Sequence, residues 1–361
     1  MNEHSPRISL DKEIPGYYDY LVSKDHDKTI GGTDMKIFAY ALREYDELKY
    51  FKEICEEYGI DGDCTSDYPS LENACLAEGY ECVSIITNPM NPELLDKFYS
   101  LGVRYISTRS IGYEHIDVAY ANKIGMKISN ITYEPGGVAD YTIMLMLMAC
   151  RNMQYIMDKA RLQDYSLKGK IGKELNQCTV GIIGTGKIGE AVIRELQGFG
   201  CRILAYDVYQ KESVKAIAEY TDLNTIYRES DIISLHVPGS QFNYHMISAN
   251  EIGKMKDGVI IVNAARGLVV DTSALIDALK SGKVGYAALD TFEHEAGLYY
   301  LNLEGEPLTH PDLALLRTMP NVLLSPHMAF YTEQAVRNMV RYSILGLMKF
   351  SAGEENPFEV H

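Results

Sequence analysis

The stretch VGIIGTGKIGE, Val180 to Glu190, closes a β-like apolar run with three glycines, Gly184, Gly186 and Gly189, and leads into the helical pattern EAVIRELQGFG. In a strand–turn–helix unit that spacing permits a tight turn. It also brings backbone N–H groups and the positive end of the helix against a pyrophosphate. The following apolar run, CRILAYD, ends in Asp207. A carboxylate there can take ribose hydroxyls and repels the extra phosphate of NADP, so NAD is the expected cofactor. Apolar runs continue downstream as DIISLHVP, VIIVNAA and GYAALDTF, each followed by a polar or helical segment.

This unit begins halfway along a chain of 361 residues, and the half before it has the same texture. From Met35, MKIFAYA is followed by YDELKYFKEICEEYG, CVSIITN by NPELLDKFYSLG, and VRYISTRS by IDVAYANKIG, ending in MKISNIT. Alternation of strand and helix over residues 35–134 implies a second parallel sheet covered by helices. The expected arrangement is a substrate domain, then a nucleotide domain, with ligands in a cleft between them. The run GGVADYTIMLMLMACRNMQYIMDKA, residues 136–160, reads as one long helix joining the halves. Residues 1–34 are polar, lack a sustained apolar period and read as an extension of unclear role.

A formal charge of −16 and a pI near 5.0 argue against attraction to nucleic acid or anionic lipid and leave small molecules as partners. The seven cysteines form no C-x-x-C pair, which fits a reducing cytoplasm and suggests no metal site. The opening MNEHSPRISLDKEIPGYYDY carries charges where a secretory signal is apolar. TIMLMLMAC, residues 142–150, falls far short of the ~20 residues that span a bilayer and reads as a core or dimer-contact face.

Three segments carry the chemistry. VNAARG ends a strand with Arg266, ALDTFEHEA places Glu295 just after another, and NVLLSPHMAF presents His327 after a third. Residues beyond strand carboxyl ends are where open α/β sheets bind ligands. The arginine fork matches a carboxylate, histidine exchanges protons near neutrality, and a neighbouring carboxylate can orient its ring. Singly these are a surface ion pair, a loop histidine and a solvated charge; together they suit a 2-oxo acid.

With these segments in place, the sequence resembles the NAD-dependent D-2-hydroxyacid dehydrogenases over essentially all of residues 35–361. VNAARG, ALDTFEHE and SPHMAFYTEQAVRNM resemble the family's Arg, Glu and His segments, and RSIGYEHIDV and TYEPGGVADYTIMLMLM its domain-crossing region. Within the family the nearest likeness is to D-lactate dehydrogenases. EAGLYYLNLEGEPLTHPDLALLRTMPNV and DYSLKGKIGKEL resemble those of glycopeptide-resistance systems.

The resemblance implies an α/β fold of two Rossmann-like or flavodoxin-like domains with parallel sheets. Residues 35–134 plus 328–361 would form the substrate domain, and residues 135–327 the NAD domain. It implies that Arg266 binds and polarises the 2-oxo acid, His327 is the acid/base and Glu295 holds His327. Lys187 and Ile188 would lie in the pyrophosphate turn, Asp207 on the adenine ribose, and Val237, Pro238, Asn243, Ala264 and Asp290 along the nicotinamide side. Tyr133 would face substrate, and the chain would be a homodimer. Pyruvate reduction to D-lactate is the expected reaction. The alternatives are bulkier acids such as 2-oxoisocaproate or phenylpyruvate, or a non-catalytic NAD-sensing corepressor-type scaffold. Two positions near the expected substrate depart from the family pattern: Met328 where threonine is common, and Glu134 where serine is common.

Overall fold

Strand-forming and helix-forming runs alternate through both halves of the chain, and in the computed structural model, which describes residues 35–361, they build two parallel sheets. The extension expected at residues 1–34 lies outside the described residues. One compact unit runs to Thr132 and resumes from Val336 to His361; the other is Tyr133–Ala335.

The first unit contains β1 (Lys36–Ala39), β2 (Asp61–Cys64), β3 (Cys82–Ile85), β4 (Tyr105–Thr108) and β5 (Lys127–Ser129). They lie in the order β5-β4-β3-β1-β2, all parallel, with the short strand Glu359–Val360 antiparallel on β5. All four residues of the central β3 are buried, because helices cover both faces of the sheet. On one face the helix Glu333–Ser351 sets Val336, Val340, Ile344 and Leu347 against Ile37, Ala39, Phe51 and Ile54. On the other, Leu94, Leu95 and Phe98 of the helix Pro92–Ser100 join Phe38, Val83 and Ile106.

A buried ion pair fixes the strand ends of this unit. The side chains of Arg109 and Glu47 are 1% and 0% exposed, with Nε and Oε1 2.9 Å apart. The remaining guanidinium donors reach Ser84 Oγ at 3.0 Å and the carbonyls of Tyr40 and Ala41 at 3.0 and 2.9 Å. Glu47 Oε2 accepts the Arg43 N–H at 3.0 Å. The turn after β1, with Ala41 at φ 47°, is held by this network.

The second unit contains β6 (Thr179–Ile183), β7 (Arg202–Tyr206), β8 (Glu219–Tyr220), β9 (Ile232–Leu235), β10 (Val259–Asn263), β11 (Val284–Leu289) and β12 (Val322–Leu324). The order β12-β11-β10-β9-β6-β7-β8 is wholly parallel. Connections run outward from β6 through β7 to β8, then restart at β9 and run the other way. The topological switch therefore falls between β6 and β9, where such sheets take nucleotides.

The long helix expected over residues 136–160 is two helices, Gly136–Cys150 and Met153–Arg161. Asn152 turns left-handed between them at φ 50° and donates its side-chain amide to the Ile171 carbonyl, 2.9 Å away. The Cys150 carbonyl accepts Lys173 N–H at 2.8 Å, so the following segment folds back onto the break. The first helix buries Val138, Ala139, Ile143, Leu145 and Met146; the second buries none of its residues. All seven cysteines are free thiols, and no helix among the described residues is long and apolar enough to cross a membrane.

Candidate functional site

The glycine turn follows β6 directly. Gly184 has φ 95°, and a Cβ there would stand 2.4 Å from the His236 carbonyl oxygen; one on Gly189 would stand 2.0 Å from that of Gly184. Those two glycines are required by the packing of the chain on itself. Gly186 is different. It is exposed, and a Cβ on it would meet nothing within 4 Å. It caps the helix Lys187–Leu196, of which Lys187 and Ile188 are the first residues. A side chain at 186 would fill the open space before the helix N-terminus, where a pyrophosphate gains from free N–H groups and the helix dipole.

Asp207 follows β7 at the neighbouring strand end. Its Oδ2 accepts Thr185 N–H at 2.6 Å and the Thr185 hydroxyl at 3.2 Å, while Oδ1 accepts Tyr209 N–H at 3.1 Å. The second lone pair of Oδ1 remains to accept a ribose hydroxyl. The open glycine, the helix start and the carboxylate fit an adenine dinucleotide. Beyond β9, Val237 Cγ1 comes within 3.0 Å of the Cβ position at Gly184. Asn243 donates its side-chain amide to the Pro238 carbonyl, 2.9 Å away, and so closes its own loop. Ala264 is buried at the end of β10.

Three adjacent strands, β10, β11 and β12, carry Arg266, Glu295 and His327 beyond their carboxyl ends. Asn263 shapes the arginine turn: its amide donates to the Arg266 carbonyl at 2.9 Å, and its Oδ1 accepts Ala265 N–H at 3.0 Å. A Cβ on Gly267 would lie 2.1 Å from the Phe292 carbonyl carbon, so the arginine turn packs directly on the segment leading to Glu295. His327 Nδ1 and Glu295 Oε1 are 2.8 Å apart, and Glu295 Oε2 accepts Phe292 N–H at 3.1 Å. With Nδ1 bonded to the carboxylate, Nε2 is the ring nitrogen left for proton exchange.

Asp290 lies beneath the histidine loop, wholly buried. Its Oδ1 accepts the Ser325 hydroxyl at 2.6 Å and Met328 N–H at 2.8 Å, its Oδ2 accepts Ala329 N–H at 2.9 Å, and its carbonyl accepts His327 N–H at 2.7 Å. These four bonds hold His327 at φ 55°, a left-handed backbone unusual for a non-glycine residue. Burial pushes the Tyr133 phenol up to about 12, with the Arg266 charge opposing and the Asp290 charge adding. Tyr133 is thus a neutral hydroxyl in the field of two site residues. His236, beyond β9, is pushed down to about 4 by burial and is neutral at pH 7, unsuited to donating a proton there.

Several neighbours of the site escape a reading of the sequence. The Tyr300 hydroxyl donates to the His327 carbonyl at 3.1 Å, and the rings of Tyr300 and Phe330 stand 6.0 and 6.2 Å from the His327 ring. His245 pairs with Glu293 at 2.6 Å, steadying the segment two residues before Glu295. Tyr220 reaches the Thr185 hydroxyl at 2.7 Å. No motif spacing marks these contacts, and all but that of Phe330 with His327 join residues far apart in the chain.

The second unit thus defines an α/β nucleotide-binding oxidoreductase. Residues 143–329 match the model of the D-isomer specific 2-hydroxyacid dehydrogenase NAD binding domain. An aromatic 2-oxoacid reductase of Clostridium sporogenes is 42% identical over 319 residues, covering 88% of this chain and 96% of the relative. A D-specific alpha-keto acid dehydrogenase of Enterococcus faecalis is 41% identical, covering 85% and 94%. The crystal structure of a D-lactate dehydrogenase from Treponema pallidum matches with a TM-score of 0.83 at 32% identity, covering 91% of this chain and 100% of that one. The chain belongs to the D-isomer-specific 2-hydroxyacid dehydrogenases, NAD-dependent oxidoreductases that act on the CH–OH group of D-2-hydroxy acids.

Proposed function

We propose that this chain reduces a 2-oxo acid to the D-2-hydroxy acid with NADH, with pyruvate its principal substrate and D-lactate its product. The observation that carries the reading is the His327–Glu295 pair, 2.8 Å apart, beyond β12 and β11, the two strands that follow in order from β10, which bears Arg266. Bound NADH supplies a hydride to the substrate C2. Arg266 grips the carboxylate with two N–H groups and polarises the carbonyl. Protonated His327 donates from Nε2 to the developing alkoxide, while Glu295 orients the ring and balances its charge. Asp207 takes the adenosine ribose, Lys187 and Ile188 present N–H groups to the pyrophosphate, and Val237, Pro238, Asn243, Ala264 and Asp290 support the nicotinamide side. Tyr133 presents its neutral hydroxyl to the substrate. The substrate domain is residues 35–134 plus 328–361 and the NAD domain residues 135–327, working in the cytoplasm.

A second reading, reduction of aryl 2-oxo acids, is favoured by the Tyr300 and Phe330 rings beside His327 and by the relative named an aromatic 2-oxoacid reductase. Steady-state assays with pyruvate, 2-oxoisocaproate and phenylpyruvate decide between them. The highest kcat/KM is expected for pyruvate; a phenylpyruvate value ten times that of pyruvate would replace the D-lactate reading.

The chain also works as a homodimer. Its occupant face is the helix Met153–Arg161 and the segment after it, where Met157, Leu162, Tyr165, Leu167 and Ile171 are 50, 76, 76, 89 and 90% exposed. Five large apolar side chains exposed to this degree on one segment suit a second copy of the chain better than water. Light scattering on the parent and on Leu167→Asp with Ile171→Asp tests it: a dimer becoming a monomer is expected, and a monomeric parent contradicts it.

A further inference from the structure

A chain of hydrogen bonds ends on Asp207, and its direction is set by its two ends. The Lys211 backbone N–H can only donate, and Tyr220 Oη accepts it at 3.2 Å. A carboxylate can only accept, and Asp207 Oδ2 takes the Thr185 hydroxyl at 3.2 Å together with Thr185 N–H at 2.6 Å. Between these ends, Thr185 Oγ1 and Tyr220 Oη are 2.7 Å apart. With the threonine proton on Asp207, the phenol proton lies between Tyr220 and Thr185. The protons therefore run in one sense, from Lys211 through Tyr220 and Thr185 to Asp207.

The fold makes this arrangement rigid. Thr185 is wholly buried between Gly184 and Gly186 of the glycine turn. Tyr220 ends β8, the outermost strand, in register with Ala205 of β7, two residues before Asp207. The other carboxylate oxygen is held by Tyr209 N–H at 3.1 Å. The Lys211 ammonium, four residues on from Asp207, is bound to Glu190 Oε2 at 3.3 Å, and Glu190 also pairs with Arg194.

We propose that Thr185 and Tyr220 are positioning residues for cofactor choice, acting through Asp207. This rests on the reading of Asp207 as the ribose ligand. A carboxylate free to rotate could turn aside from a 2′-phosphate. One held at both oxygens presents the same charge to every incoming ribose, accepting the diol of NADH and repelling the phosphate of NADPH. Donation along the relay stabilises the charge on Oδ2, and the Tyr209 bond fixes Oδ1. Removal of the Tyr220 hydroxyl takes away two hydrogen bonds, from Lys211 N–H and to Thr185; the one to Thr185 supports Asp207, and its loss is a change of about fivefold in an equilibrium constant.

The test is equilibrium titration of NADH, NADPH, ADP-ribose and reduced nicotinamide mononucleotide into the parent, Tyr220→Phe, Thr185→Ser and Asp207→Asn. Tyr220→Phe is expected to weaken NADH and ADP-ribose alike by about fivefold, leave the mononucleotide unchanged and narrow the NADH:NADPH ratio by a similar factor. Thr185→Ser keeps the hydroxyl and is expected to match the parent. If Tyr220→Phe keeps parental affinities and ratio while Asp207→Asn alters them, the relay is overturned and the ribose reading stands. If Asp207→Asn leaves the ratio unchanged, the ribose reading fails and the relay with it. Equal weakening of mononucleotide and ADP-ribose in Tyr220→Phe would mark a general structural defect and also overturn the proposal.

Discussion

The two sheets use the carboxyl ends of their strands in opposite ways. In the first unit the charged pair at that edge, Arg109 and Glu47, is 1% and 0% exposed, and its groups are bonded to Ser84, Arg43 and the turn after β1. In the second unit the corresponding pair, His327 and Glu295, is 23% and 29% exposed, and it engages only Nδ1 of the ring. The architectures are alike, so the fold alone does not assign the chemistry. A saturated, buried pair holds a loop in place; an open pair on a rigid strand end can exchange a proton with something that arrives.

The largest expected effect separates these roles. Arg266→Lys retains a positive charge but loses the two-pronged grip, and kcat/KM for pyruvate is expected to fall at least about a hundredfold with an unaltered melting temperature. Arg109→Ala should do the reverse in kind. It leaves the buried Glu47 with only Arg43, Nη2 to Oε1 3.5 Å, as a charged partner and should lower unfolding free energy by about 3 kcal/mol, read from urea denaturation. An Arg109→Ala protein with parental stability would remove the structural half of the comparison.

Glu295→Gln is a finer probe. The amide can still accept from Nδ1, but it no longer balances the imidazolium. In kcat, pyruvate reduction, which needs the protonated ring, should therefore fall more than D-lactate oxidation, which needs the neutral one. Equal losses in both directions at one pH would leave Glu295 an orienting role alone.

The smallest effect concerns two histidines, one in each unit. Burial pushes both His115 and His236 down to about 4. The unfolded chain binds protons on these groups near the ordinary value of about 6.5, so the stability from keeping them neutral is present above that pH and fades as pH falls toward 4. His236→Asn should flatten this fall by about 2 kcal/mol between pH 7 and pH 5, measured from urea midpoints. A slope identical to the parent's would show that His236 carries no such linkage.

Much of this was legible in the sequence where burial was complete. β3, β6, β9 and β10 are apolar runs because helices cover both faces of the sheet, and the glycine turn announces the helix that follows it. β2 was not legible: Asp61-Gly-Asp-Cys64 is a polar edge strand held on β1 by its backbone and by an exposed Lys36–Asp61 ion pair, with no apolar run to mark it. The break at Asn152 was hidden for a similar reason, since a left-handed residue held by a distant carbonyl leaves no periodic signature. Arg266, Glu295 and His327 could be found because each follows a recognisable strand. The Thr185–Tyr220 contact and the Arg109–Glu47 pair could not, because 35 and 62 residues separate the partners and only the folded sheets bring them together.

The most direct test is the consumption of NADH with pyruvate, with chiral analysis of the product, for the parent and for His327→Ala, each shown by titration to bind NADH. The parent is expected to form D-lactate alone, and His327→Ala to bind NADH while losing at least about a hundredfold in turnover. Formation of L-lactate by the parent, or turnover in His327→Ala close to parental, would contradict an open histidine–carboxylate pair on the second sheet as the acid that completes the reduction.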